Sequence, residues 1–340
     1  MSKLRLFQLC TLVMLLYACN NNPLDIDVSN VEIDYRSSRF DEALFRTDFS
    51  NPQSAHQDLY QSFGQFWIDY QEAVLRVGQA GDSMALAECQ AFVTDATIQE
   101  IQTVINKVHD NRIEDYDEQF EDAFKHFNYY FDDQTPEIFY YNSGFNFGIY
   151  PLDTILAVGL DFYLGADNEI IQKLPPSVFP LYKQVKMDPK YLVSDAMRGW
   201  LLVKNQGYME ANNLLGQMMY FGKVLYILDA CMPNVPDSIK MNYSSSQDLW
   251  ANTNEELIWK ELAQEEVLYE NKGFEINKWM ADGPFTNTGN VPQDSPPQLG
   301  IWIGWQVVRD YMVENPDMTL QQLLEETNYS KMLQVYNPKD

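Results

Sequence analysis

The stretch Gly300-Ile301-Trp302-Ile303-Gly304-Trp305-Gln306-Val307-Val308-Arg309 combines glycine, tryptophan and branched apolar residues at helical spacing. Gly300 and Gly304 are four residues apart, so they share one face of a helix. Because glycine has no side chain, we expect a second backbone to approach closely on this face. The charge of Arg309 on an otherwise apolar helix must reach water or a carboxylate.

A second apolar stretch, Leu214 to Tyr226, has similar properties. Its apolar face is interrupted by Gly222 and Lys223, and the charge of Lys223 needs a partner for the same reason as that of Arg309. Packing in a core is the simplest interpretation of both stretches. The two helices are therefore expected to lie deep in the fold.

Around these stretches the hydrophobic period indicates a mostly helical α+β protein with a small central sheet. Two β-branched and aromatic runs in the middle of the chain predict strands, Ile138–Tyr141 and Thr154–Phe162. A helical pattern begins at Ser54, and further helices are predicted for Met84–Val108, Tyr116–Phe131, Leu192–Val203, Leu214–Ala230, Glu255–Tyr269, Gly300–Val313 and Leu320–Val335.

Two of the predicted helix starts carry a capping-box spacing. Thr253 precedes Glu256 by three residues, and Thr319 precedes Gln322 by three. In this arrangement each side chain satisfies a free N–H group of the first helical turn. Proline and glycine between residues 283 and 297 predict one long loop.

The first nineteen residues read as a lipoprotein export signal. Lys3 and Arg5 precede the apolar run Leu12–Tyr17, and the tetrad Leu16-Tyr17-Ala18-Cys19 places a cysteine at the first mature position. A secretory peptide that happens to carry cysteine there is the alternative. We predict a signal peptide at 1–18, acylated Cys19 and a polar tether over 19–35, whose flexible form would reach about 20 Å.

The remaining residues, 36–340, are predicted to form a single large domain with an N-terminal helical layer at 36–132. The chain has 23 basic and 49 acidic residues and a formal net charge of −26. This charge excludes nucleic acid as a partner, because the two would repel each other. Beyond the anchor only Cys89 and Cys231 remain. They can pair in an oxidising compartment or stay buried as free thiols.

Sequence motifs for catalysis are weak. The three histidines, His56, His109 and His126, do not have the spacing of a zinc-binding helix face. A Gly-x-Ser-x-Gly elbow and a P-loop lysine are both absent from the sequence. We therefore expect neither a metal nor a cofactor.

Several blocks together resemble the gliding motility lipoprotein family GldB. The resemblance runs from Cys19 to nearly the C-terminus and includes Asn254-Glu255 between two tryptophans. The blocks are Gly159–Gly165, Phe221–Tyr226, Asp282–Thr286 and Gly300–Arg309. The resemblance implies a lipoprotein needed for gliding in bacteria whose gliding machinery is tied to the type IX secretion system.

Residues 133–340 are also remotely similar to zincin-type metallopeptidases, without their zinc motif. Asp195-Ala196-Met197-Arg198-Gly199 stands where His-Glu-x-x-His would be expected, and Tyr220-Phe221 stands where an acidic ligand would precede Gly222. Without three ligands a zinc-bound water cannot be activated. The resemblance thus implies a degenerate zincin-like domain, a pseudopeptidase whose interaction cleft would include Asp195, Phe221, Lys223, Trp305 and Arg309.

The leading hypothesis is a non-catalytic protein, anchored in the bilayer through Cys19, that binds other gliding or secretion proteins. A periplasmic hydrolase using Glu255, Glu256, Glu261 and Glu265 is one alternative. A chaperone that holds peptides in an aromatic cleft is another. Asn20 lacks the acid that retains lipoproteins at the inner membrane, which favours the periplasmic face of the outer membrane. The oligomeric state stays open.

Overall fold

A computed structural model describes residues 22–209 and 212–339 of the protein. Four strands form one mixed sheet in the order β1-β2-β4-β3. They are β1 (Ser37–Arg39), β2 (Glu137–Tyr141), β3 (Ile149–Pro151) and β4 (Ile155–Gly159). β1 and β4 run parallel to β2 on its two sides, and β3 is antiparallel to β4. Both predicted strands are present, whereas β1 and β3 are too short to show an alternating pattern.

Helices make up most of the remaining structure, so the predicted mostly helical α+β class is confirmed. A π-helical turn, Tyr70–Val74, extends the second helix. In chain order the helices are α1 (Phe40–Arg46), α2 (Pro52–Asp69), α3 (Ser83–Thr94), α4 (Ala96–His109), α5 (Ile113–Phe131), α6 (Glu169–Gln172), α7 (Leu181–Gln184), α8 (Leu192–Lys204), α9 (Leu214–Cys231), α10 (Asp237–Lys240), α11 (Ser245–Thr253), α12 (Glu255–Leu262), α13 (Glu265–Leu268), α14 (Gly273–Met280), α15 (Leu299–Glu314), α16 (Leu320–Glu325) and α17 (Tyr329–Val335).

The sheet separates two apolar cores. Along β2, Ile138 and Tyr140 face one core while Phe139 and Tyr141 face the other, as the two-residue period of a strand requires. α1, α2 and α3 pack on the Phe139 side. α4, α5 and the helices that follow the sheet pack on the Ile138 side. The α4–α5 pair therefore shares its core with residues that follow it in the chain.

The crossing of α9 and α15 is the closest helix contact of the larger core. A Cβ on Gly222 would lie 2.3 Å from the carbonyl oxygen of Gly304, and a Cβ on Gly304 would lie 2.2 Å from that of Met218. A Cβ on Gly300 would lie 3.2 Å from the carbonyl oxygen of Trp279. The predicted close approach of a second backbone to this glycine face is confirmed.

α8, α9 and α15 begin and end within one residue of their predicted bounds. The prediction of one helix over Met84–Val108 is wrong, because Asp95 divides it into α3 and α4. Asp95 has an extended backbone, and its Oδ1 accepts hydrogen bonds from the N–H groups of Thr97 and Ile98. It thus caps a new helix. The helices predicted at Glu255–Tyr269 and Leu320–Val335 are divided as well.

One of the two predicted capping boxes is confirmed. The hydroxyl of Thr319 accepts a hydrogen bond from the N–H of Gln322, whose side chain accepts one from the N–H of Thr319. The box predicted at Thr253 is wrong, because Thr253 is the last residue of α11 and its hydroxyl donates to the carbonyl of Leu249. A capping box starts α11 instead, at Ser244.

The two cysteines of the described chain are buried free thiols. Cys89 lies in the core on the Phe139 side and Cys231 in the core on the Ile138 side. Burial raises the pKa of the Cys89 thiol to about 12, so its reactive thiolate is scarce at neutral pH. Within residues 22–209 and 212–339, no helix is long and apolar enough to cross a membrane. Cys19, the predicted acylation site, lies outside the described residues.

Candidate functional site

The five side chains predicted to share an interaction cleft lie in four environments, and only Trp305 and Arg309 share one. Trp305 and Arg309 stack on each other, with the guanidinium carbon 3.7 Å from the ring centroid. Asp195 belongs to a polar group on α8, and Lys223 contacts the end of α16. Phe221 is half-buried with its ring against Tyr220. Trp305 and Arg309 also belong to a larger buried ionic cluster.

The ionic cluster is centred on Asp229, which is 4 % exposed in the last turn of α9. Oδ1 of Asp229 accepts hydrogen bonds from Lys240 Nζ at 2.8 Å and from Arg309 Nη2 at 3.0 Å. Its Oδ2 accepts from Arg309 Nε and Trp305 Nε1, both at 2.8 Å. The close glycine crossing allows these contacts, because it brings the α15 side chains within reach of α9.

A second carboxylate completes the cluster on the other side of the guanidinium. Arg309 Nη1 and Nη2 donate to the two oxygens of Asp237 at 2.5 and 2.8 Å. Burial alone would raise the pKa of Asp237, but the hydrogen bonds and positive charge of Arg309 outweigh it and hold this pKa below its usual value. The cluster therefore balances two carboxylates against Arg309 and Lys240.

A cavity of about 290 Å³ lies over the ionic cluster. Its walls are the start of the described chain, the segment that joins α9 to α10, and the end of α15. Cluster residues form its polar side, and its other lining residues are Asn22, Pro23, Leu24, Tyr226, Pro233, Val235 and Val313. The cluster thus supports the surface on which residues 22–24 lie.

Asp195 lies in a polar group beside the cluster. It accepts hydrogen bonds from Asn242 Nδ2 at 2.7 Å, and from Tyr163 Oη and Arg198 Nη2 at 3.2 Å. Burial raises the pKa of this carboxyl, and Arg198 opposes that shift. Arg198 also donates to the carbonyl of Lys240 at 2.9 Å, which links the group to the ionic cluster.

Lys223, which is 1 % exposed, holds the C-terminal end of a helix. Its Nζ donates to the carbonyl of Leu324 at 3.1 Å and to that of Glu326. The ammonium also lies 5.4 Å from the ring centroid of Tyr329. Cations favour the last carbonyls of a helix, so Lys223 fixes the end of α16 against α9.

Comparison with known proteins decides the family. A family model described as gliding motility protein GldB matches residues 21–338. The chain belongs to the GldB family. Its members are gliding motility proteins, and the family name indicates lipoproteins. No curated protein and no solved structure matches the chain, so the zincin-like similarity stays a prediction.

The histidines of this GldB-family chain have local structural partners. His109 is buried between the hydroxyl of Tyr116 and the carbonyl of Leu160, each 3.1 Å from a ring nitrogen. Burial lowers the pKa of His109 to about 4, so the ring is neutral at pH 7. Within the described residues, no group of three or more His, Cys, Asp or Glu side chains is placed to hold a metal ion.

Asp161 is a fully buried carboxylate outside the ionic cluster. Its Oδ2 accepts hydrogen bonds from the hydroxyl of Ser143 at 2.9 Å and from the N–H of Phe145 at 2.5 Å. For Oδ1, no donor within the described chain lies at hydrogen-bond distance. Burial raises the pKa of Asp161 to about 6, although Phe145 and Ser143 oppose the shift. Asp161 therefore fixes the turn at Gly144 and Phe145 while carrying a buried charge at neutral pH.

This buried charge predicts a pH-dependent effect of Asp161→Asn. Burial raises the pKa of this carboxyl from its ordinary value of 3.8 to about 6, so at pH 8 its charged form destabilises the fold by about 3 kcal/mol. We expect the free energy of unfolding of the variant, minus that of the wild type, to fall by about 2.4 kcal/mol between pH 8 and pH 4, because the unfolded carboxyl is still partly ionised at pH 4. Urea unfolding at both pH values measures it. Exposed Asp167→Asn is the control, and a pH-independent difference would contradict the assignment.

Asp229, Asp237 and Lys240 were not predicted as site residues. Asp229 follows Gly222 by seven residues, so the two lie on one helix face, and Arg309 required a carboxylate. These two signals together could have pointed to Asp229. Lys240 lies in a four-residue helix, which is too short to give a periodic signal.

Proposed function

We propose that this chain is a non-catalytic lipoprotein that is anchored through acylated Cys19 and binds other proteins of the gliding and type IX secretion machinery. Its family supports the role in gliding. The tetrad ending at Cys19 supports the anchor. We place it on the periplasmic face of the outer membrane.

The observation that carries the non-catalytic part is the state of the acids in and beside the ionic cluster. Asp229 and Asp237 receive fixed donors from Arg309, and Asp195 receives donors from three side chains. A general acid or base needs an exchangeable proton within reach of a substrate. Carboxylates held in such ion pairs instead fix the positions of the helices that carry them.

Protein is the class of partner that we favour. The net charge of −26 repels nucleic acid and bare anionic lipid surfaces. Large apolar side chains are exposed on several elements, among them Leu181, Leu249 and Phe274. Such side chains can enter a protein interface, where apolar contact does not depend on charge.

The alternative function, a hydrolase, would depend on the glutamates of α12. Glu255 is buried and accepts a hydrogen bond from Tyr336 at 2.9 Å, whereas Glu261 accepts one from Asn290 at 2.7 Å at the surface. Adjacent helix positions do not share a face, so Glu256 points away from Glu255. These acids do not form an obvious catalytic pair.

We expect Glu255→Gln, Glu256→Gln and Glu261→Gln each to support wild-type gliding in a deletion strain. The amide keeps the shape and an acceptor oxygen but cannot act as a base. Gliding speed is the readout, and immunoblots confirm equal protein levels. Loss of gliding in a stably produced variant would favour the hydrolase, as would stoichiometric zinc that is lost on Asp195→Ala.

A further inference from the structure

Residues 22–36 form a strap that lies on the domain and is fixed at both ends. At its start, Asn22 Nδ2 donates to the carbonyl of Pro233 at 2.9 Å, and Asn234 Nδ2 donates to Asp25 Oδ1 at 3.0 Å. At its end, the hydroxyl of Tyr35 donates to Asp117 at 2.7 Å, and β1 follows directly. Val28 in the middle is only 6 % exposed.

The surface that receives the start of the strap is itself held rigidly. Pro233 and Asn234 lie between α9 and α10, and each of these helices contributes an acid to the ionic cluster. Arg309 donates hydrogen bonds to both acids, so it fixes the two helices and the segment between them. The most buried ion pair of the described chain, Lys240–Asp229, belongs to this cluster, next to the point where the strap begins.

The covalent distance from the strap to the predicted acylation site is short. Cys19 precedes Asn22 by three residues, and a chain spans at most about 3.6 Å per residue, so the acylated residue lies within about 11 Å of Asn22. A flexible tether over the same region would instead allow about 20 Å and free rotation of the domain. The docked strap therefore brings one end of the domain to the bilayer surface.

Val313, in the last turn of α15, is an exposed apolar residue at this end. It is 76 % exposed and lines the cavity together with Asn22 and Leu24. We infer that the strap orients the domain on the membrane, with the face around Val313 turned toward the lipid surface. This inference rests on the proposed acylation of Cys19. Its consequence is that α1–α3, which pack in the core on the other side of the sheet, lie farther from the bilayer than Val313.

The test compares two positions of matched exposure in the acylated full chain. Val313→Cys and Met84→Cys, where Met84 is 74 % exposed on α3, each receive a fluorophore. The native Cys89 and Cys231 are buried and shielded from the reagent. The labelled proteins are placed in phosphatidylethanolamine–phosphatidylglycerol nanodiscs that carry headgroup nitroxide lipids. We expect at least threefold stronger quenching at position 313 than at position 84.

A second variant tests whether the strap causes this orientation. Asn22→Ala combined with Asn234→Ala removes both hydrogen bonds at the start of the strap and should bring the two quenching values within twofold of each other. Asn252→Ala, at an exposed asparagine of α11, is the control and should leave the threefold difference intact.

Mass spectrometry of the same samples separates the two claims. Lack of an acyl group on Cys19 would overturn the proposed anchor and, with it, the orientation. An acylated protein with equal quenching at the two positions would overturn the orientation alone, as would a difference that persists when the strap is released.

Discussion

Gly304→Ala is expected to destabilise the chain by at least about 3 kcal/mol, the upper range for an overpacked core. The new Cβ would lie 2.2 Å from the carbonyl oxygen of Met218 and 2.7 Å from its carbonyl carbon. Since both atoms belong to the backbone of α9, a rotamer change cannot relieve the clash. The two central helices would have to separate, and the packing around the Asp229 cluster would loosen. Chemical denaturation measures the change.

Gly207→Ala is the matched control for this prediction. Gly207 lies in a short 3-10 helix, and no other described atom comes within 4 Å of a Cβ placed there. Alanine should be neutral or stabilising by up to about 1 kcal/mol, because it restricts the unfolded chain. If Gly304→Ala unfolds within 1 kcal/mol of the wild type, the crossing is less tight than described.

Arg309→Met is expected to cost about 3–5 kcal/mol of stability, the range for removing one partner of a buried ion pair. Methionine keeps much of the apolar stem but leaves Asp229 with only Lys240 and Trp305 as partners and Asp237 without its guanidinium. In the wild type the pKa of Asp237 is lowered, so its contribution is present above the pKa of the unfolded carboxyl and is lost as the pH falls. The difference from the wild type should therefore shrink below about pH 4.

Arg46→Met is the control for charge removal. Arg46 pairs with Glu42 at the surface, with its side chain 77 % exposed. A pair of this kind is worth about 1 kcal/mol or less. Urea unfolding of both variants at pH 7 and pH 4 gives the comparison. Equal effects at pH 7 would contradict a structural role for the ionic cluster.

The helices of the central crossing could be predicted from sequence because they are apolar on nearly every face and must be buried in the core. α9 and α15 match their predicted bounds within one residue. Helix breaks were harder to predict, since Asp95 ends one helix and caps the next through hydrogen bonds of a single side chain. The chain has 49 acidic residues, and most acids in an amphipathic pattern lie on the solvent face of a helix. An acidic residue in such a pattern therefore does not indicate a helix break.

The sequence predicted only part of the ionic cluster. Arg309 requires a carboxylate, but many acids could have supplied one, and the glycine crossing is what selects Asp229. The strap was missed for a related reason. Its contacts are isolated hydrogen bonds from Asn22 and Tyr35 and one buried Val28. These contacts leave no period in the sequence, so a polar segment was predicted as a flexible tether.

The central claim is that this GldB-family protein works as an anchored binding component, and two complementations test it most directly. A deletion strain receives either Cys19→Ala or the soluble chain behind a new secretory signal, and gliding and secretion are scored with immunoblots for protein level. We predict that neither form restores gliding although both proteins are stable. Full rescue by the soluble chain would contradict the account and would point to a diffusible activity.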